Sequence, residues 1–305
     1  MTAYTQVSAN RFKTWLIMFV FAAFVTFVVY VFTQALGYRG PSALGFSGIA
    51  LIIAGIMNFF AYYSSDKLVM AISGAKQIQK KDNPTLFRTV ENLCIASGLP
   101  MPKVYIINDT APNAFATGRD PKHASICFTT GILQKLDKLE LEGVTAHELS
   151  HVGNYDTRLM SIVSVLVGLV ALLADWFIRI LWWGGGSRDN DNRGAGSGII
   201  MVAALVLAIL SPIIAILIQL AISRKRELLA DAAGALITRN PDSLASALLK
   251  ISKDTEPLEA ANKATAHLYI VNPFKGQKGA VSWFAGLFNT HPPIEERIKA
   301  LRAMQ

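Results

Sequence analysis

Two long apolar segments near the start of the chain constrain its fold most strongly. Residues 15–34 are almost entirely apolar, and residues 44–63 form a second apolar run that ends in Tyr62 and Tyr63. Each run has the roughly 20 residues that an α-helix needs to cross a bilayer. A signal peptide would have a shorter apolar region ending in a small-residue cleavage site. The sequence therefore predicts an N-terminal transmembrane hairpin within residues 1–64.

A second pair of apolar segments follows later in the chain. Residues 159–183 and 198–222 are each long enough to span a bilayer, and they predict a second hairpin over residues 159–222. Asp175 and Arg179 lie within the third span at i, i+4, where they would mark an ion path or neutralise one another near the interface; we favour the second interpretation. Hydrophobic residues make up 52% of the chain and charged residues only 16%, which is typical of a membrane protein and not of a soluble domain.

The basic residues close to the spans predict the orientation in the membrane. The net charge is +8, but no basic patch with interleaved aromatic residues is present, so nucleic-acid binding is not expected. In the four-span arrangement one side of the membrane receives most of the cations: Arg11, Lys13, Lys67, Arg158, Arg224, Lys225 and Arg226. The positive-inside rule then places both termini and the soluble segments, residues 65–158 and 223–305, in the cytosol. We expect a multi-pass protein of the cell (inner) membrane.

The soluble segments show mixed helical and strand patterns. Helices are expected over residues 84–96, from about residue 139, and over residues 241–251 and 292–304, with strands at residues 104–107 and 125–129. Cys94 and Cys127 lie in apolar surroundings and are expected to be reduced packing residues. The predicted fold is therefore a predominantly α-helical membrane protein with a cytosolic α+β domain that contains a small mixed sheet.

The segment His147-Glu148-Leu149-Ser150-His151 carries the clearest chemical pattern in the chain. On a helix, His147 and His151 project from the same face, where two imidazoles can hold one Zn²⁺. Glu148 is then placed to act as the general base on a water molecule. The charged residues that surround the motif place it at the membrane surface, which argues against intramembrane proteolysis.

A zinc site of this kind needs a third ligand. The extended form of the motif requires Gly and His at the positions held by Asn154 and Thr157, so it is excluded. Glu227 is the candidate carboxylate, and Asp231 lies one turn further on, where it could orient a ligand histidine. The alternative is that both acids form a solvated face that balances the basic residues 224–226.

Three separated motifs together resemble the HtpX-type membrane zinc metalloproteases, relatives of the CAAX prenyl endopeptidases. They are residues 147–151, residues 227–231 and His291-Pro292-Pro293-Ile294-Glu295-Glu296-Arg297-Ile298, and the segment Asn113-Ala114-Phe115-Ala116 also matches. The resemblance implies a zincin-like domain with one Zn²⁺ per chain, held by His147, His151 and Glu227. It also implies Glu148 as general base, Asp231 as the acid behind the ligands, and a role in stress-related protein quality control.

Several further residues are candidates for the same chemistry. His291 and Arg297 would stabilise the oxyanion, or they would form a capping turn and an ion pair with a nearby acid. Asn113, Ala114, Phe115 and Ala116 would form an exposed edge strand that binds a peptide by strand addition. Residues 281–288 are apolar and could insert into the bilayer surface. No role follows from the sequence for Asp156 or His267.

The sequence thus predicts a zinc metalloendopeptidase that cleaves misfolded or damaged membrane proteins at the cytosolic membrane surface. No G-x-x-x-x-G-K-[ST] loop is present, so energy-dependent extraction would need a partner such as an ATP-dependent protease. The alternative function is a zinc-binding membrane transporter or a non-catalytic scaffold, which would leave Glu148 without a task.

Overall fold

The computed structural model describes residues 3–35, 40–184, 224–260, 265–271, 273 and 292–304. Its helices are α1 (Ala3–Ala35), α2 (Pro41–Ile72), α3 (Pro84–Ser97), α4 (Thr130–Lys135), α5 (Lys138–Gly153), α6 (Asp156–Gly184), α7 (Arg224–Thr238), α8 (Pro241–Lys253) and α9 (Ile294–Arg302). Its strands are β1 (Lys76–Gln77), β2 (Lys103–Ile107), β3 (Ala114–Gly118) and β4 (Ala124–Thr129). Short 3₁₀ turns lie at Pro121–His123 and Ala266–Leu268.

Two helices of the described part, over Val7–Val31 and Pro41–Ile72, are long and apolar enough to cross a membrane. They correspond to the first two predicted spans, and Asn58 of α2 ties them together by donating to the carbonyl of Met18 at 2.9 Å. The third predicted span lies in α6, whose backbone is helical from Asp156 to Gly184. The fourth predicted span and residues 281–288 lie outside the described residues.

Helix α2 does not end at the boundary that the sequence predicted near residue 64. It continues to Ile72, so the predicted boundary falls inside one helix. Val69 and Met70 explain the extension, because both are buried in a cluster with residues of the sheet, including Phe115 and Cys127. Apolar burial against the sheet stabilises these last turns.

Among the described residues the strands form one sheet in the order β1-β2-β4-β3. Strands β2 and β4 are parallel, whereas β1 pairs with β2 and β3 pairs with β4 in antiparallel fashion. The predicted mixed sheet is thus confirmed, and β1 is a short addition that its two polar residues did not indicate. The arrangement leaves β3 at one edge of the sheet.

Helix α5 begins where a local capping motif dictates. The Asp137 side chain accepts from the Glu140 amide at 3.0 Å, and the Glu140 side chain accepts from the Asp137 amide at 2.9 Å, which is a capping box. The buried Glu140 is also paired with Lys250 of α8 at 2.6 Å. Leu141, Val144 and Leu149 pack into the main core cluster of the soluble domain, which fixes the orientation of the helix that carries the motif.

The two cysteines are free and buried, as expected for packing residues. Cys94 lies on α3 and Cys127 on β4, in different core clusters. Burial raises the pKa of the Cys94 thiol to about 11. A thiol in such surroundings stays protonated and behaves as an apolar side chain.

Candidate metal centre

The two histidines of the predicted motif face one another on α5. Both side chains are buried, their ring centroids are 4.7 Å apart, and the two Nε2 atoms are separated by 3.2 Å. This proximity follows from the helix itself, because residues at i and i+4 lie on the same face one turn apart. Both Nε2 atoms are thus directed to one point.

Glu227 reaches that point from α7. Its carboxylate oxygens are 3.7 Å from His147 Nε2 and 3.5 Å from His151 Nε2. The ligand atoms of the three side chains all lie within 4.8 Å of one another, and each side chain is buried. The alternative of a solvated acidic face is therefore wrong for Glu227, and the three residues form a group that could hold one metal ion.

Helix α7 can approach α5 this closely because of Gly234. A Cβ atom placed on Gly234 would lie 3.1 Å from the backbone nitrogen of His147 and 3.3 Å from its Cα atom. Such distances are shorter than ordinary van der Waals contact. The absent side chain thus sets the spacing between the helix of the histidines and the helix of the carboxylate.

His147 is supported by Asp231 and Arg297. Its Nδ1 atom is 3.0 Å from Asp231 Oδ1, although the ring N–H is not aligned for a full hydrogen bond. Arg297 of α9 donates to both Asp231 oxygens, from Nε at 2.8 Å and from Nη2 at 2.6 Å. Burial alone would raise the pKa of Asp231, but the Arg297 charge and these hydrogen bonds lower it to about 2. The acid is therefore held ionised behind the ligand.

His151 has a separate acidic partner, Asp156, at the start of α6. Its Nδ1 atom is 3.0 Å from Asp156 Oδ2. The turn between α5 and α6 brings the carboxylate back to the ring, and it contains Tyr155 in the left-handed region at φ 59°. Burial lowers the pKa of His151, but the bond to Asp156 and the charge of Glu227 outweigh it and raise the pKa to about 9. Metal binding at this imidazole would thus release a proton.

Glu148 lies beside the group on the same helix and is 3% exposed. Burial raises the pKa of its carboxyl to about 7, although the His151 charge and a hydrogen bond from the Ala116 amide act in the opposite direction. A carboxyl group poised near neutral pH can both accept and return a proton. Its contact with Ala116 also places it against the edge strand β3.

The predicted substrate strand is an edge strand, but it is not exposed. Residues 113–118 are buried. The amides of Ala114 and Gly118 already have partners outside β4, which are Asn113 Oδ1 at 3.1 Å and Ser161 Oγ at 3.2 Å. The Ala114 carbonyl accepts from the Ile270 amide at 3.1 Å. The expectation of an exposed edge is corrected by the segment at residues 269–271, which packs over the start of the strand.

Arg297 adopts the ion-pair alternative that the sequence left open. It is 0% exposed and bound bidentately to Asp231, with its Nη1 atom 3.8 Å from Glu227 Oε2. His291 lies outside the described residues, as does the side chain of His267. Asp156, Gly234 and Asn10 had no role predicted from the sequence; Asn10, on α1, contacts Asp156 at 2.7 Å. The patterns that could have indicated them are a glycine inside a predicted helix and polar residues at the ends of apolar spans.

Comparisons with known proteins point to one family. The model of peptidase family M48 matches residues 80–305. A protein named Protease HtpX homolog from Dictyoglomus thermophilum is 44% identical over 305 residues, which cover 99% of this chain and 95% of the relative. A protein of the same name from Tropheryma whipplei is 46% identical over 307 residues, which cover 99% and 98%. The crystal structure of S. mikatae Ste24p aligns with a TM-score of 0.49 and 16% identity, over 95% of this chain and 66% of that one.

Proposed function

The chain belongs to peptidase family M48 and is a membrane-bound metalloprotease, and from this premise we propose that it is a zinc endopeptidase acting on misfolded or damaged membrane proteins. His147, His151 and Glu227 are the proposed ligands of one Zn²⁺, and Glu148 is the proposed general base. The observation that carries the proposal is the convergence of these three ligand side chains within 4.8 Å of one another, next to Glu148.

The donor set favours zinc. Two imidazole nitrogens and one carboxylate oxygen, with a fourth position left for water or substrate, are the ligands of a catalytic zinc site, whereas magnesium and calcium prefer oxygen donors. Bonds of about 2.05 Å at tetrahedral angles separate neighbouring ligand atoms by about 3.3 Å. The two Nε2 atoms are 3.2 Å apart, and each faces a different oxygen of Glu227: His151 Nε2 lies 3.5 Å from Oε1 and His147 Nε2 lies 3.7 Å from Oε2. These separations are close to the tetrahedral value.

The metal and Glu148 would have different roles in peptide hydrolysis. When bound, zinc would act as a Lewis acid on the scissile carbonyl and lower the pKa of water. Glu148 accepts the proton of the attacking water and then delivers it to the leaving amine. Burial raises the pKa of this carboxyl above its ordinary value, which makes it a stronger proton acceptor.

The acids behind the histidines keep the site in one geometry. We assign Asp231 to His147 and Asp156 to His151, since each lies 3.0 Å from an Nδ1 atom. Such partners fix the tautomer that leaves Nε2 free to bind metal. Arg297 is assigned to Asp231 and not to the oxyanion, because its guanidinium already spans both carboxylate oxygens. His291 stays a prediction for the oxyanion donor.

The substrate strand is proposed to bind near Ala116. The start of the β3 edge is covered at Ala114, whereas Ala116 lies near enough to Glu148 for its amide to lower the pKa of that carboxyl. A peptide in extended form that pairs with the strand at Ala116 would bring its scissile bond to Glu148. Recognition through the backbone uses few side-chain pockets, which suits the broad specificity of a quality-control protease.

Four membrane spans with both termini and the site in the cytosol complete the proposal. Its support is the pair of apolar helices α1 and α2, the helical backbone of α6 and the distribution of basic residues. The catalytic helix α5 leads directly into α6, so the site lies next to the proposed bilayer surface. An ATP-dependent protease or another quality-control partner would supply extraction. The transporter or scaffold alternative is set aside because the chain belongs to a peptidase family.

The test is Glu148→Gln in the purified full chain. We expect zinc to remain bound with stoichiometry one, while cleavage of an unfolded protein substrate falls by two or more orders of magnitude, because the amide cannot accept a proton. Glu142→Gln is the matched control, since Glu142 lies on the same helix but is partly exposed and paired with Lys138 at 3.9 Å. Wild-type cleavage by the Glu148→Gln protein would refute the mechanism.

A further inference from the structure

A buried asparagine of the first membrane helix contacts the metal centre. Asn10 of α1 is 1% exposed, and all of its amide groups are used. Its Nδ2 atom donates to Asp156 Oδ1 at 2.7 Å and to the carbonyl of Asn154 at 3.0 Å, and its Oδ1 atom accepts from Arg226 Nη1 at 3.3 Å. The orientation of the amide follows from these partners, because two oxygens face Nδ2 and a guanidinium faces Oδ1.

These bonds continue directly to a proposed zinc ligand. Asp156 receives Asn10 on Oδ1 and His151 on Oδ2, the latter at 3.0 Å. The carboxylate is therefore held between a residue of α1 and the imidazole. A carboxylate that is hydrogen-bonded on its far side keeps a fixed orientation toward the histidine that it supports.

The two ligand histidines are supported in parallel ways. Behind His147, Arg297 grips Asp231 directly at 2.6 and 2.8 Å. Behind His151, the nearest atoms of Arg226 and Asp156 are 3.5 Å apart, and Asn10 bonds to both. Asn10 thus completes a support that on the other side is made by an arginine alone.

Helix α1 also holds the turn that presents Asp156. The guanidinium of Arg11 lies 4.9 Å from the centre of the Tyr155 ring. Tyr155 is the residue in the left-handed region at φ 59°, directly before Asp156. A strained turn of this kind persists only when its surroundings hold it in place. Two adjacent residues of α1 therefore contact the turn: Asn10 bonds to Asn154 and Asp156, and Arg11 lies over the Tyr155 ring.

We infer that Asn10 is a positioning residue of the metal centre: it holds Asp156 against His151 and so makes the first membrane helix part of the zinc site. This inference rests on the proposed function, because it takes His151 as a zinc ligand. The inference goes beyond the proposed function because it assigns to α1, besides membrane anchoring, a contribution to metal affinity and ligand geometry.

The test compares Asn10→Leu with Asn58→Leu in the full chain, purified and folded in detergent. Asn58 is the matched control, since it is also a buried asparagine of the bundle but bonds to the carbonyl of Met18. We expect Asn10→Leu to weaken zinc affinity on the order of tenfold, measured by competition with a chromophoric chelator. It should also alter the visible spectrum of the Co²⁺-substituted protein, whereas Asn58→Leu should leave both unchanged. Unchanged zinc affinity and Co²⁺ spectrum for Asn10→Leu, or equal losses in the two variants, would overturn the inference.

A double-mutant cycle with Asp156→Asn separates positioning from general destabilisation. If Asn10 acts through Asp156, its substitution should have little further effect on zinc affinity once the carboxylate is gone. Additive losses would overturn the inference. Asn10→Ala replaces the leucine variant, with the same criteria, if that variant does not purify as folded protein. Wild-type protein that binds no zinc would instead contradict the proposed function. If the wild-type protein binds zinc and cleaves substrate, a negative result for the Asn10 variants contradicts only the inference about Asn10.

Discussion

Gly234 offers a direct test of how closely the metal centre depends on helix spacing. A Cβ atom at this position would lie 3.1 Å from His147 N, whereas ordinary contacts begin near 3.4 Å. The clashing atoms belong to the α5 backbone and cannot rotate away. Gly234→Ala must therefore push α7 away from α5 by a few tenths of an ångström, and Glu227 moves with α7.

The size of the effect can be worked out for stability and for activity separately. Alanine gains about 1 kcal/mol over glycine as a helix former, and overpacking costs about 1–3 kcal/mol, so that the net loss of unfolding free energy stays below about 2 kcal/mol. A misplacement of 1 Å at an active site can cost about a hundredfold in rate. A shift of a few tenths of an ångström should then lower kcat/KM roughly three- to tenfold.

Two glycines of the facing helix, α5, serve as controls. A Cβ atom at Gly153 would meet the Leu99 side chain at 3.6 Å, an ordinary contact, so Gly153→Ala should change neither stability nor zinc affinity much. A Cβ atom at Gly143 would lie 2.6 Å from the backbone nitrogen of Leu244, on α8. Gly143→Ala should therefore cost more stability than Gly234→Ala but weaken zinc binding less, because α8 carries no proposed ligand.

The measurements are zinc affinity by chelator competition, kcat/KM on an unfolded substrate, and thermal unfolding of the zinc-free proteins. Of these two variants, Gly234→Ala should lose more zinc affinity and Gly143→Ala should lose more unfolding free energy. Wild-type zinc affinity and kcat/KM in the Gly234→Ala protein would refute the claim that this contact sets the distance between Glu227 and the histidines.

Two further predictions concern the metal and the buried ion pair. Removing the metal with a chelator should lower the melting temperature, because a zinc ion held by the proposed ligands would join α5 to α7 and at a thousand times its Kd would add about 4 kcal/mol. Glu227→Ala should abolish this zinc-dependent shift, and a shift of wild-type size in that variant would show that Glu227 is not a ligand. Arg297→Leu should lower the unfolding free energy by about 3–5 kcal/mol in denaturant titrations, because it leaves the Asp231 charge buried and unpaired, and Asp231→Asn in the same chain should restore part of the loss. Equal stability of the Arg297→Leu single variant and the double variant would contradict this account.

Much of the fold followed from local patterns because its causes are local. The mixed sheet and the helices at residues 84–96 and 241–251 were predicted to within a few residues. The end of α2 was not, since its final turns are stabilised by burial of Val69 and Met70 against a sheet that lies later in the chain. Hydropathy locates the end of an apolar run, but it does not show what a helix contacts beyond the bilayer.

The candidate site divides in the same way. His147, Glu148 and His151 are recognisable because a single helical turn brings them together. Glu227 and Asp231 were candidates from their spacing, with a solvated acidic face left open as the alternative, and the resemblance to known proteases favoured the ligand role. The roles of Asp156, Gly234 and Asn10 were not foreseen. Asp156 contacts His151 across a turn, Gly234 contacts α5, and Asn10 contacts Asp156 from a helix far away in the sequence. A local sequence pattern does not show which distant residues come into contact.

By itself the sequence determined the chemistry and its surroundings: the residue types that bind a metal, the base beside them and the apolar helices that take the chain into a membrane. The tertiary structure decided what surrounds that chemistry. In the folded chain α7 packs against α5 at Gly234, and Arg297 binds Asp231. Asn10 of the first helix bonds to Asp156, the acid beside His151. The physical reason is that i, i+4 spacing is a property of the helix, whereas the orientation of a buried ligand depends on hydrogen bonds and close contacts between segments far apart in the chain.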